Sequence, residues 1–500
     1  MLRLTYWMVV SFISLGLTLC VQAQDTLSPL ITFNHGAQIN DIAYNEQGNC
    51  VATVADDFRG KFWNVGQSVN FSAPNARNNI ATIRHSARIG QIVFSNQYVA
   101  TASDDDLAKL WEQTGIIVNA LGIPAVALKA IANSGNGEDA TRVAIDETEK
   151  YMAVGTAKGE AQLLDLSNIK VRSKAPNANN GQNEADYVYV VDPDDPEPSN
   201  IETDIEEPAL IARMWHEGSR TGPSAIADMA FSPKDKWIAT LGEDMTAKVW
   251  NYEKEPIRSD NGRLVLPLEV FIDLDGSVAL NRNQLFFSPD GNLLGVSHGT
   301  KVSIYNLRKI SPNSKGTPVA ALYAEVESEH AINVIEFDEA WTKLGIGINT
   351  GSDCRFTVWN FKELMPDAQG TVRPQMIGQK DFDEDQIYDI TFDRKGEIMV
   401  TAMQSQSANL FNLTNLEEVP NSVNASEPEL VATLPHANTS VTKIKFSPDN
   451  QKVATAANDG NARLWDVSKY AEFYSSSTVT ISGGVKLITA IAIFMTSLFY

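Results

Sequence analysis

Three cysteines are too few for a disulfide framework in a chain of 500 residues, and Cys50 and Cys354 lack the close spacing of a zinc or redox pair. Basic residues are outnumbered. The 40 Lys and Arg face 62 Asp and Glu, for a net charge of −22. That balance excludes nucleic acid and anionic lipid as partners, because both need a basic face. The spacings of a serine-nucleophile elbow, a zinc-protease helix and a phosphate-binding loop are also missing. Long apolar runs are missing everywhere except at the two ends.

The ends read differently from the middle. Residues 1–23 carry Arg3, then an apolar run, then Val21-Gln22-Ala23. That is the layout of a secretory signal peptide with a small-residue cleavage site, so the chain is expected to be exported. Cys20 would leave with it. As a lipid acceptor Cys20 is poorly placed, because Leu19 precedes it where a small residue belongs. At the other end a polar, small-residue spacer over 471–485 precedes an apolar tail over 486–500. The tail is short for a spanning helix, which needs ~20 apolar residues. Small residues, spacer and tail together match a lipid-anchor signal or a short membrane anchor.

Between the ends the chain repeats. "VATVADDFRGKFWNV", "VATASDDDLAKLWEQ", "IATLGEDMTAKVWNY" and "VATAANDGNARLWDV" close on Trp63, Trp111, Trp250 and Trp465. Each places an Asp six residues before the Trp: Asp57, Asp105, Asp244 and Asp459. Each places a Thr ten residues before it: Thr53, Thr101, Thr240 and Thr455. Weaker copies close on Leu164, Tyr305, Trp359 and Phe411. Trp359 keeps Asp353 but has Asn349 for the Thr, whereas Phe411 keeps Thr401 and loses the Asp. Upstream of each closing residue lies an alternating run such as "INDIAY", "IGQIVF" or "VTKIKF", often followed by a turn such as "SPDG". Period-two runs between Pro, Asp and Gly turns are half-buried strands in hairpins. Each unit supplies three strands, with a fourth in the connection to the next.

A repeat of this content resembles the WD-repeat family of β-propellers, over about residues 29–470. The resemblance implies an all-β fold, a single propeller. Eight closing positions predict eight blades, with seven as the runner-up. The strand "LITFN", Leu30 to Asn34, is expected to add to the last blade and close the ring, removing open sheet edges. The family also begins its repeats with a His, bonded through Ser/Thr and Asp to the Trp indole. His35, His85, His216, His330 and His436 stand at the starts of units. By that resemblance His35, Thr53, Asp57 and Trp63 form one structural network. His85, Thr101, Asp105 and Trp111 form a second. His216, Thr240, Asp244 and Trp250 form a third, and His436, Thr455, Asp459 and Trp465 a fourth.

Little chemistry is left over. His298, in "VSHGTK", reads as part of a turn between strands. The recurring Thr, Asp and His sets look like catalytic triads, but they recur with a Trp at structural positions, so no catalytic residue is assigned. No cofactor and no metal site are expected. The interval 172–208 is an acidic insertion, and Glu184 to Glu207 carries ten carboxylates with no Lys or Arg. Asp192, Asp194, Asp195 and Glu197 invite Ca²⁺, but the prolines among them and the lack of a glycine argue for a solvated loop. Inserted loops of repeat folds often serve a binding face. Sequons stand at Asn70, Asn412, Asn424 and Asn438, all in expected connections, as candidate glycosylation sites. The resemblance implies a non-catalytic scaffold for a protein or peptide partner. The two ends add the expectation of export, with the tail as a candidate membrane attachment. The alternative is a propeller-based hydrolase or lyase with its site at the central channel.

Overall fold

The computed structural model describes residues 25–470, except 67–78, 119–123, 136, 168, 170–207, 217–223, 260, 275–282, 363–370 and 417–424. The leader, the C-terminal tail, most of the acidic insertion, Asn70 and Asn424 lie outside the described residues. No helix among the described residues is long and apolar enough to cross a membrane.

Eight sheets follow one another along the chain as eight blades, each built on four antiparallel strands, and two of them carry a short parallel addition at the edge. The first blade shows the rule. Strands Ile39–Tyr44, Cys50–Ala55, Arg59–Asn64 and Asn79–Arg84 pair in sequence order. The second strand is buried at all six positions, because its two faces meet the two neighbouring blades. Its composition follows from that position: small and β-branched residues in an unbroken apolar run, not an alternation. Similar runs, "VATAS", "IATLG" and "VATAA", hold the same place in blades two, four and eight. Glycine serves where two sheets come closest. A Cβ on Gly155 of blade three would lie 2.7 Å from Ile226 of blade four.

Strand Ile31–Asn34 pairs antiparallel with Asn461–Asp466, from Ile31 opposite Leu464 to Asn34 opposite Asn461. Leu30 extends the tie, its N–H donating to the Leu464 carbonyl at 2.7 Å. The ring is therefore eight-bladed and closed by its N-terminal strand, as the repeat predicts. Eight blades displace the seven-blade alternative.

Around the axis five of the eight innermost strands hold a backbone N–H of the next with a side-chain oxygen. Asp41 accepts from Ile92 N at 3.1 Å, and Gln91 from Val143 N at 2.8 Å. Asp228 accepts from Leu285 N at 2.9 Å, Gln284 from Ile335 N at 3.1 Å and Asp389 from Ile444 N at 3.1 Å. Polar side chains that would otherwise be stranded near the axis thus satisfy backbone donors of the adjoining blade.

Blades three and five, the weakest copies by sequence, are complete sheets. In blade three, strand Glu160–Asp165 pairs with Ala209–Trp215 across the acidic insertion. A small hairpin, Ile257–Arg258 with Leu264–Val265, reaches back from blade four to extend that sheet. In blade five the strands Lys301–Pro312 and Pro318–Glu327 run on into a long hairpin. Neither extension has a periodic signature that the repeat register would reveal.

Candidate functional site: the loop face and its histidine networks

Antiparallel pairing puts four strand ends of every blade on one side: the start of the first, the end of the second, the start of the third and the end of the fourth. The predicted histidines and aspartates therefore share a face. On it, three of the four expected networks are joined throughout. In blade two, His85 Nδ1 lies 3.0 Å from both Asp105 oxygens and Nε2 lies 2.8 Å from Thr101 Oγ1. The Trp111 indole donates to the same hydroxyl at 3.0 Å. The donor order follows. His85 Nδ1–H donates to Asp105, Thr101 O–H donates to Nε2, and the indole N–H donates to Thr101. Blade four repeats this, with His216 contacts of 3.0 Å to Asp244 and 2.8 Å to Thr240, and Trp250 to Thr240 at 2.9 Å. Blade one turns the ring over. Its His35 Nδ1 meets Thr53 at 2.7 Å and Nε2 meets Asp57 at 3.2 Å, with Trp63 donating to Thr53 at 2.9 Å.

Blade eight departs from the expected wiring. His436 Nε2 lies 2.9 Å from Thr455, and Trp465 donates to Thr455 at 2.9 Å. Asp459 does not reach the imidazole. Arg463 stands between them, with Nη1 2.6 Å from His436 Nδ1 and Nη2 2.9 Å from Asp459. A guanidinium can only donate, so Nδ1 accepts and Nε2–H donates to Thr455. The direction of the chain is the reverse of that in blade two. The motif spacing gives no warning of this, because Arg463 replaces the Lys of the other three copies.

Burial, opposed by the facing aspartates, holds His35, His85 and His216 below the ordinary histidine range. Burial and the adjacent Arg463 charge push His436 down to about 3. Burial alone would raise Asp57, Asp105 and Asp244. The hydrogen bonds and charges of their histidine partners outweigh it and leave all three carboxyls low. These imidazoles are neutral structural links.

The weaker units show what happens without a full set. In blade seven Phe411 has no N–H to give, no His begins the unit, and the buried Thr401 Oγ1 has no hydrogen-bond partner. In blade five His298 ends strand Leu293–His298 and does not occupy the turn expected of it. It is buried against Ser303 at 3.2 Å, and Ser303 donates to Glu325. In blade six His330 is exposed and joins no network. Strand pairing corrects the expected Thr position: Ile346, opposite Thr357, stands where Thr101 stands opposite Lys109. Asn349 lies at the strand end and turns to the next blade, accepting from Ile387 N at 2.9 Å. Trp359 donates instead to Thr357 at 2.9 Å. A cavity of about 310 Å³ opens there, bordered by His330, Asp353, Cys354, Arg355, Asp381 and Phe382 among others.

The loop face is strongly acidic. Asp56 and Asp57 lie on blade one, Asp104, Asp105 and Asp106 on blade two, and Glu138 and Asp139 where blade three begins. Glu243 and Asp244 lie on blade four, and Asp353, Asp383 and Glu384 on and after blade six. Arg88 and Lys158 on this face are paired with Asp104 and Glu138. Burial and the neighbouring charges of Asp104 and Asp106 push the Asp139 carboxyl above its ordinary range. Phe58 sits among these groups as an exposed aromatic, 45% accessible, in a left-handed turn at φ 67°.

One repeated feature escaped the sequence reading. The residue after each first strand caps the next turn in all eight blades: Asn45, Ser95, Asp146, Ser232, Ser288, Asp338, Asp393 and Ser447. Aligning the units on this position, not on the Trp, finds blades three and five directly.

Asp41, Asp228 and Asp389 use an oxygen each on the neighbouring backbone. Among the described residues no three His, Cys, Asp or Glu side chains gather as metal ligands. Cys50 and Cys354 are separate buried thiols, each pushed up to about 12, chiefly by burial. Of the described sequons, Asn438 is exposed. Asn412 is not a usable acceptor. It ends strand Ser407–Asn412 at 1% exposure, with its amide bonded to Thr414 and Glu429.

Comparison with known proteins agrees with this architecture. The family described as "WD domain, G-beta repeat" matches residues 27–64, 216–251 and 428–466. No curated protein matches the chain in sequence. Among solved structures it is similar to Chaetomium thermophilum Sqt1 bound to the N-terminus of the ribosomal protein L10. That match has 14% identity and a TM-score of 0.58, covering 88% of this chain and 100% of the other. Saccharomyces cerevisiae Sqt1 is similar at 13% identity and a TM-score of 0.57, covering 88% and 99%. The repeated motif, the closed ring of eight sheets and the family match at three places agree: the chain folds as an eight-bladed β-propeller that carries WD repeats.

Proposed function

We propose that this protein is a non-catalytic propeller scaffold whose acidic loop face receives a basic peptide segment of a partner protein. The observation that carries this reading is the carboxylate density of that face, held on turns between strands; burial and the charges of Asp104 and Asp106 push up Asp139 there. A cationic segment meets complementary charge there, which speeds encounter and sets specificity. The solved likeness to Sqt1, one structure of which holds the N-terminus of a ribosomal protein, supports a peptide partner as a class. The four strong histidine sites support the absence of catalysis, because their imidazoles are buried, neutral and committed to structure.

The proposal extends to place. A leader over 1–23 and an apolar tail over 486–500 support export and attachment to a membrane, with the propeller outside the cytoplasm. Protease treatment of intact cells bearing a tagged propeller tests this. Digestion supports it; protection until lysis contradicts it.

Affinity capture with the mature propeller tests the scaffold role, alongside a variant carrying Asp104→Asn and Asp106→Asn and one lacking Gln182–Glu207. A partner held at low salt, lost at high salt and weakened by the first variant supports the acidic face. Capture that ignores both salt and those carboxylates contradicts it. Loss only on deleting the insertion moves the site there.

A further inference from the structure

The cavity of blade six is bordered by His330 and Asp353, which correspond in sequence to the network histidine and aspartate of the strong blades. Its volume is about 310 Å³. The lining is in two parts. Ile348 and Phe382 are apolar, and Cys354 is 1% exposed without a hydrogen-bond partner. The rim carries Glu329, Asp353, Asp381 and Asp383. Arg355 pairs with Asp381, which leaves three carboxylates without a cationic partner. The negative charges of Asp385, Asp353 and Asp381 add to burial in holding the Cys354 thiol up. His330 is exposed on the same rim, and its imidazole makes no hydrogen bond.

The geometry points to a socket for one cationic side chain, a lysine or arginine of the partner peptide. Its methylene stem lies on Ile348 and Phe382, and its charged head reaches Glu329, Asp353 and Asp383. An apolar wall with a carboxylate rim suits a side chain that is greasy along its length and charged at its tip. A neutral polar residue would leave the rim charges uncompensated, and a carboxylate would be repelled. The purpose of the socket rests on the peptide-scaffold reading; its test does not.

His330 supplies the reporter, because the other five histidines of the chain are buried. The full mature chain, labelled at histidine, is titrated with Nα-acetyl-arginine amide and, separately, with its citrulline counterpart. The expected result is a saturable shift of the His330 ring signal with the arginine compound and none with citrulline. Assignment comes from His330→Asn. Affinity falls about tenfold in the double variant Asp353→Asn, Asp383→Asn, and measurably in Glu329→Gln, a surface change that leaves the fold intact. A His330 signal unmoved at about 50 mM probe overturns the socket, as does an equal response to citrulline or an unchanged affinity in both variants. Capture of a partner by the acidic face while His330 stays silent would retain the scaffold and discard the socket. A responsive socket on a propeller that captures nothing would do the reverse.

Discussion

Blade two and blade six both begin with a histidine and close on a tryptophan, with an aspartate six residues before it. In blade two these groups are buried and bonded to one another. In blade six the histidine faces solvent and borders a cavity. The difference at the centre is one hydroxyl. Pairing sets Thr101 opposite Lys109, and in blade six Ile346 stands at that place, opposite Thr357, because a longer turn precedes the third strand. Threonine can accept from the indole and donate to the imidazole at once, and isoleucine can do neither. Asn349, ten residues before Trp359, lies at the strand end and finds backbone partners in the next blade. The link residue decides whether the histidine is structure or surface. Blade seven gives the complement. It keeps the hydroxyl of Thr401 without the other partners, and that hydroxyl is orphaned.

Removing the two tryptophans should separate the blades most widely. Trp111→Ala is expected to lower stability by ~3–5 kcal/mol, as for a large core aromatic. Trp359→Ala, at a half-buried site with a local hydrogen bond, should cost about half as much. Equal losses in chemical denaturation would break the comparison.

Acid should act next, through the networks. The unfolded chain protonates His436 near 6.5, whereas the folded chain holds it at about 3. The network's stability is therefore complete above pH 6.5 and is lost as the pH falls toward 3. The lowered His35, His85 and His216, and the lowered Asp57, Asp105 and Asp244, work in the same direction. The melting temperature should drop steadily over that window, and His436→Asn should flatten the slope. A melting temperature independent of pH there would contradict neutral, buried imidazoles.

The smallest effect belongs to the turns. Blade eight uses Gly460 at φ 74° where blade one forces Phe58 to φ 67°. Phe58→Gly should raise stability by less than ~1 kcal/mol, since relief of strain is partly offset by the freer unfolded chain. A loss above ~1 kcal/mol would show that Phe58 packs on the face more than its exposure allows.

Much of this fold could be read from the chain before any coordinates. Trp, Asp and Thr at fixed offsets marked the strong units, and "LITFN" announced the closing strand. The parts that could not be read have physical causes. Blades three and five keep their shape through turn caps such as Asp146 and Ser288, so the Trp register passes over them. The route through Arg463 depends on side-chain reach, which spacing does not encode. Asn412 looked like a loop sequon until pairing placed it at a buried strand end. The acidic face emerges only when turns distant in sequence meet on one side of the ring.

The central claim is that the threonine hydroxyl, when fully partnered, holds the loop face together. The direct measurement is a paired one, Thr101→Val and Thr401→Val, each compared with the parent by denaturant unfolding. Thr101→Val strands a buried indole N–H and an imidazole nitrogen, at about 1–3 kcal/mol each, so a loss of ~2–4 kcal/mol is expected. Thr401→Val removes an orphaned hydroxyl and should fall within ~0.5 kcal/mol of the parent or slightly above it. Equal losses at the two sites would contradict the account, because stability would then follow position in the blade and not the network.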